Sequence, residues 1–250
     1  MSGQRTSSNQ PFNPQPDISI NSGLSIPLGK YRLLTNQSDD RSSASYGGFV
    51  EVLSSITPMP SSPWRVNLTL GYFYNPFDAA ASKEAYELPI MTGTDWHIVY
   101  TMLGVGYTSK KQFFYGIHFN AGILGFMGGD INSGQIENDT FELNAWAYSP
   151  KPAAAVKVTG MVGYSISPKI SLYATIGLFY SATTRSGRKT TTYYEPTNQI
   201  QLEQPILHEK LIETENQTTI FALNIGLGFR YKFYEESSNL NYQLNIEENQ

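Results

Sequence analysis

The sequence predicts an all-β protein whose eight antiparallel strands close as an up-and-down barrel. Three observations carry that reading. Apolar side chains alternate with small, polar or charged ones in eight separate segments, the connections between them alternate long and short, and the two resulting faces keep different chemistry along the whole chain. A strand turns successive side chains to opposite faces, and helical spacing fits none of these segments.

In the first segment, Ile18, Ile20, Leu24, Ile26 and Leu28 alternate with Ser19, Asn21, Gly23 and Ser25. The second, 47–56, is weaker and sets Val50, Val52 and Ile56 against Phe49, Glu51, Leu53 and Ser55. The third sets Trp64, Val66, Leu68, Leu70, Tyr72 and Tyr74 against Arg65, Asn67, Thr69, Gly71, Phe73 and Asn75. In the fourth, Val99, Leu103, Val105 and Tyr107 oppose Met102, Gly104 and Gly106. The fifth places Phe113, Tyr115, Ile117, Phe119, Ala121 and Ile123 opposite Gly116, His118, Asn120 and Gly122. The sixth sets Ala154, Val156, Val158, Val162, Tyr164 and Ile166 against Lys157, Thr159, Met161, Gly163 and Ser165. The seventh sets Ile170, Leu172, Ala174, Ile176, Leu178 and Tyr180 against Ser171, Tyr173, Thr175, Gly177 and Phe179. The eighth, FALNIGLGFRYKF (221–233), alternates without a break.

Between the segments, 30–46, 76–97, 124–153 and 181–217 are long, whereas 57–63 (TPMPSSP), 109–111 (SKK) and 167–169 (SPK) are short. Strict alternation of length puts all short turns at one end and all long loops at the other. Eight strands is the smallest number that commonly closes such a meander.

Composition narrows the function classes. Of 250 residues 40% are hydrophobic and only 15% charged, with 17 Tyr and 13 Phe. Without cysteine there is no disulfide, thiol nucleophile or acylated N-terminal cysteine. The net charge of -4 gives no case for a nucleic-acid partner. No run approaches the roughly 18 apolar residues of a membrane helix. MSGQRTSSNQPFNPQPD is polar and Pro-rich with no apolar central segment, so by itself it reads as cytosolic. An exported location would require that a signal has been removed.

Alternation alone leaves open which face points outward, and a soluble lipocalin-like carrier shares the same period. Glu51, Arg65, Lys157, Arg230 and Lys232 line the Gly-rich face, a poor wall for an apolar cavity. Trp64, Tyr72, Tyr74, Tyr107, Phe113, Tyr164, Tyr180, Tyr231 and Phe233 gather near strand ends of the other face, as in the interfacial girdles of membrane barrels. Segments of this length also suit a tilted crossing of the bilayer. The expectation is therefore a transmembrane barrel over residues 18–233 with lipid on the greasy face. An extended periplasmic arm (1–17) precedes it and a periplasmic tail (234–250) follows.

With ISINSGLSIPLG (18–29), MLGVGY (102–107) and NIGLGFRYKF (224–233) in order, the chain resembles the small eight-stranded outer-membrane barrels of OmpA or OmpX type. More narrowly, it resembles the outer-membrane β-barrel domain family abundant in the Bacteroidetes. The resemblance implies a location in the bacterial outer membrane. It also implies that a terminal aromatic such as Phe233 is read by the barrel-assembly machinery; residues 234–250 follow it, so that signal would be internal.

Chemistry is thin. GIHFNAGI (116–123) superficially resembles the His-x-Ser-Asn stretch of lipid A deacylases, but Asn120 stands where the serine nucleophile would be. A carboxamide cannot be activated to attack an ester. His118 falls on the inward face, where a lumen hydrogen-bond network is the simpler role. Glu51, Arg65, His118, Lys157 and Arg230 are expected to form that network, with charges paired to offset their desolvation, and an interior of this size excludes a porin. His97 with Asp95, and His208 with Glu209, fall in predicted loops. Neither has the second histidine of a helical zinc site, so no metal and no cofactor is expected.

The long loops FELNAWAYSP (141–150) and 190–213 are rich in apolar groups and could extend the hairpins into a binding edge. In the tail, Leu240, Tyr242, Leu244 and Ile246 alternate with polar residues, an edge-strand signature able to augment a partner's sheet. The expected role is non-enzymatic: an accessory or structural subunit of a larger outer-membrane protein complex, or a surface binder acting through its loops. Partners would be membrane lipid and a protein of the outer membrane or periplasm. The alternatives are a membrane enzyme acting on lipids and a soluble lipocalin-like carrier.

Overall fold

The computed structural model describes residues 14–32, 43–59, 62–86, 90–128, 130–137, 140–149, 151–194 and 206–234. Eight strands form the wall: β1 (Gln15–Pro27), β2 (Gly47–Thr57), β3 (Trp64–Asn75), β5 (Trp96–Thr108), β6 (Phe113–Met127), β9 (Ala153–Ser165), and the lower parts of β10 (Ile170–Tyr194) and β11 (Ile206–Lys232). Each pairs antiparallel with the next, and β11 returns to β1 through pairs such as Ile18↔Tyr231 and Leu24↔Ile225, which closes the barrel. The predicted fold class and strand order are those observed.

β1 begins at Gln15, ahead of the expected Ile18, and this brings Asp17 into the lumen. Asp17 shares the inward parity of Ser19 and Asn21. The periodic apolar signal starts only at Ile18, so sequence periodicity left Asp17 in the arm.

The faces are inverted relative to a water-soluble protein. Leu227 is 73% exposed, while Arg230, three residues on, is 1% exposed. Every wall strand carries exposed large apolar side chains, among them Ile20, Val52, Leu70, Leu103, Phe119, Val162 and Ile176. Glu51, Arg65, His118, Lys157, Arg230 and Lys232 are buried inside. A lipocalin-like carrier would need the opposite arrangement.

Inside, large side chains meet small ones across the strands. Tyr100 lies over its cross-strand partner Gly71, where a Cβ would come within 2.2 Å of the ring. Tyr173 lies over its partner Gly228 in the same way. These glycines are there for space, as is usual in a narrow barrel.

The connections at the long-loop end are not plain loops. After β1 a 3-10 turn (Gly29–Tyr31) drops Tyr31 into the barrel mouth. A short helix, α1 (Ala79–Tyr86), follows β3, and β4 (Ile90–Gly93), β7 (Ile131–Glu137) and β8 (Thr140–Ser149) fill stretches predicted as loops. β8 pairs with the upper part of β10, from Ser186↔Ser149 to Tyr194↔Phe141, just above the last β9 pair at Ser181↔Ala155. β7 joins β8, and β4 joins β7. The result is a sheet in the order β11-β10-β8-β7-β4 that continues the wall upward.

Candidate functional site

Two regions carry the functional residues: the lumen, and the long-loop end with its projecting sheet. Within the lumen the sequence-predicted charges separate into two groups. Near the short-turn end the Asp17 carboxylate forms an ion pair with Arg65 and lies 3.7 Å from Arg230 Nε. Arg230 Nε also donates to Ser19 Oγ at 3.4 Å, and its guanidinium sits 5.1 Å from the Phe114 ring centroid and 5.5 Å from that of Tyr173. Cation–π contacts of this kind strengthen when desolvated.

Higher up, Glu51 accepts from Lys157 Nζ, from the Tyr100 hydroxyl and, at 3.3 Å, from Asn21 Nδ2. The Thr175 hydroxyl in turn donates to Asn21 Oδ1 at 3.2 Å. Pairing of this quality is what permits carboxylates inside a closed barrel, since an unpaired buried charge is strongly destabilising.

His118 joins neither ion pair. Its Nε2 lies 3.4 Å from Thr108 Oγ1, and it lines a cavity together with Asn120, Glu51, Lys157 and Thr159. That cavity offers about 20 Å³ to a water-sized sphere, room for roughly one molecule. His118 and Asn120 both face the lumen and are buried, so neither lies on the outer face, where the same stretch exposes Ile117, Phe119 and Ile123.

Above the charges the lumen turns apolar. Phe73 and Phe179 pack edge to face at 5.0 Å, Tyr100 lies 5.1 Å from Phe179, and Tyr31 closes on Trp96 at 5.5 Å. Asn75 ties this lid together: its amide donates to the carbonyls of Ser25 and Ser45, and its Oδ1 accepts from the hydroxyls of Ser25 and Tyr31. Phe49, Phe73, Trp96 and Phe179 share the inward parity of the polar residues. Composition of that face therefore understated how much aromatic filling it holds.

His97, expected in a loop, instead occupies β5 and points to the outer face between inward Trp96 and Ile98. Its Nδ1 is 2.7 Å from the Tyr72 hydroxyl, while the neighbouring Tyr74 hydroxyl donates to Asp95 Oδ2 at 2.6 Å. Asp95 also accepts the Phe77 amide at 2.9 Å. The Tyr74 hydroxyl first, and then that amide, hold the Asp95 carboxyl below its ordinary range. His208 lies on β11, with its side chain outside the described residues, as are Leu240, Tyr242, Leu244 and Ile246. No group of three or more His, Asp or Glu that could hold a metal occurs among the described residues.

No protein-family model and no curated protein matches the chain. Among solved structures, its fold is similar to a major outer membrane protein from Thermus thermophilus, at 13% identity over 88% of this chain and 99% of that one, TM-score 0.46. It is similar also to Neisserial surface protein A (10% identity, 88% and 97% covered, TM-score 0.42). A third is the outer membrane protein OprG from Pseudomonas aeruginosa (9% identity, 86% and 95% covered, TM-score 0.41).

Proposed function

We propose that this chain is a non-enzymatic integral protein of the bacterial outer membrane that binds a protein partner through its projecting sheet. Membrane placement is supported by the apolar outer wall. Soluble proteins rarely expose a contiguous apolar patch beyond a few hundred Å², and here greasy side chains ring all eight wall strands. In lipid a closed barrel also leaves no backbone edge unpaired.

The observation that carries the binding role is the β10–β11 hairpin. Its two strands, 25 and 27 residues long, run well past the wall. From Ser181 to Tyr194 the rise is roughly 40 Å at the usual spacing per residue. Among the described residues β1 pairs β11 as far up as Ala222, and above that point β11 is the outer strand of the described sheet, with Leu211 and Ile212 exposed on it. Such an edge is a template for an added strand. A lumen packed with side chains over its height supports a binding role over a conducting one.

Membership of a larger outer-membrane complex, and kinship with the OmpA/OmpX-type and Bacteroidetes barrels implied by 18–29, 102–107 and 224–233, belong to the same proposal. So does a second, periplasmic contact through Leu240, Tyr242, Leu244 and Ile246. Two truncations test it in native membranes, each followed by crosslinking and mass spectrometry. One replaces 186–213 by a short turn and the other deletes 234–250. Both variants should keep the barrel's heat-modifiable gel shift. The first should lose the crosslinked partner, and the second should lose a periplasmic one. Unchanged crosslinks in the first variant would remove the binding role.

A further inference from the structure

Beside His97 the outer wall is not convex. A groove of about 590 Å³ runs down it, walled by Val50, Leu70, Tyr72, Val99, Ile123 and Pro152, with Gly125 on its floor. Register explains the hollow. Tyr72 pairs with Val99, and Val99 with Gly125, so one outward row falls from a phenol ring to no side chain at all. A Cβ on Gly125 would meet no atom within 4 Å. The exposed lining is apolar and continuous with the wall's greasy surface.

At the groove's long-loop end stands the polar cluster of Tyr72, His97, Tyr74 and Asp95. The row above Tyr72 and Val99 pairs Tyr74 with His97, so the two features adjoin. In the tautomer in which the Tyr72 hydroxyl donates to His97 Nδ1, the imidazole carries its hydrogen on Nε2, where it can donate to a further oxygen; in the other tautomer Nε2 accepts from a hydroxyl. Asp95 is an acceptor that repels phosphate but takes hydroxyl donors, and the rings of Tyr72 and Tyr74 flank His97 at 6.2 and 5.2 Å. Hydroxyl-rich, uncharged groups with apolar C–H faces fit that set, and saccharides are of this kind.

We propose that this site binds one acylated saccharide lipid of the outer leaflet, an acyl chain in the Gly125 groove and the sugar against His97, Tyr72 and Asp95. The inference rests on the membrane placement proposed above. A pocket of this size is ordinary for a specific ligand, and the headgroup contacts separate it from the unselective film of lipid around any barrel.

The test uses the full chain in phosphatidylcholine nanodiscs doped with a phosphate-free, diacylated glucosamine or, separately, with phosphatidylglycerol at the same mole fraction. Native mass spectrometry counts lipid retained on the released protein. The glucosamine lipid should be retained by the parent chain, and phosphatidylglycerol about tenfold less. Gly125→Leu, whose Cβ enters open space and whose side chain would occupy the groove, and His97→Leu should each cut retention of the glucosamine lipid by about tenfold. Equal retention of the two lipids, or unchanged retention in Gly125→Leu, would overturn the site, as would absence of adduct on a barrel that has entered the disc. Failure to enter any disc would overturn the membrane placement along with it.

Discussion

Asn67 and Asn75 lie on the same strand, point into the same lumen and are both buried, yet their surroundings differ completely. Asn75, at the long-loop end, uses its amide and carbonyl in four hydrogen bonds. Neither Nδ2 nor Oδ1 of Asn67, toward the short-turn end, has a partner among the described residues. The two halves of the interior also differ in what fills them. The upper half is packed like the core of a soluble protein, aromatic on aromatic, although the Ser43 hydroxyl and both side-chain polar atoms of Asn224 lack a partner among the described residues. The lower half is held by charge around Asp17, and the Ser55 and Thr57 hydroxyls near it also lack a partner among the described residues. A close-packed core resists change everywhere at once, whereas a polar network depends on each member.

Four measurements would break or sharpen that contrast. Trp96→Ala should show the largest effect, a loss of about 3–5 kcal/mol as for other buried aromatics. Urea unfolding in lipid vesicles, followed by circular dichroism, reads it. A cost near zero would mean that the upper lid is not the stabilising half. Asp17→Asn should cost about 3 kcal/mol in the same assay, because it leaves Arg65 and Arg230 without their counter-charge. If the polar half tolerated it, the ionic description of that half would be wrong.

Asn75→Ala should cost about 1–3 kcal/mol by orphaning its partners, and Asn67→Ala less than about 0.5 kcal/mol, since no bond is lost. Similar costs for the two asparagines would erase the distinction. The smallest effect concerns Asp95, outside both halves. Its carboxyl titrates below the unfolded value, so the stability it adds is present above about pH 4 and is lost as pH falls through the lowered folded value. Asp95→Asn should flatten that part of the acid unfolding curve, and an unaltered curve would show that the Tyr74 contact does not matter.

The wall was legible because each of its strands has one face in an apolar surrounding, and that alone writes period two into the sequence. The sheet above it was not. TTRSGRKTTTYY in β10 and HEKLIETENQTT in β11 lie beyond the wall and have no uniformly greasy face, so length and polarity made them look like loops. That Glu51, Arg65, Lys157 and Arg230 need partners within the lumen was legible without the pairs themselves, and the partner of Arg65 and Arg230 was missed because Asp17 lies just before the first alternating residue. Counting parity back from Ser19 would have found it. The same count outward from Val99 would have put His97 on the lipid side rather than in a loop.

The Tyr100–Gly71 and Tyr173–Gly228 couples have a consequence for assembly. Sliding one strand past its neighbour by two residues leaves every oily side chain facing out, so the alternating pattern cannot detect the error. The couples can. After such a slip Tyr100 would meet Thr69 or Phe73 instead of an empty position, and the ring would have nowhere to go. At these two seams, β3 against β5 and β10 against β11, a missing side chain works as a notch that accepts one tooth, and it is the notch that counts the residues.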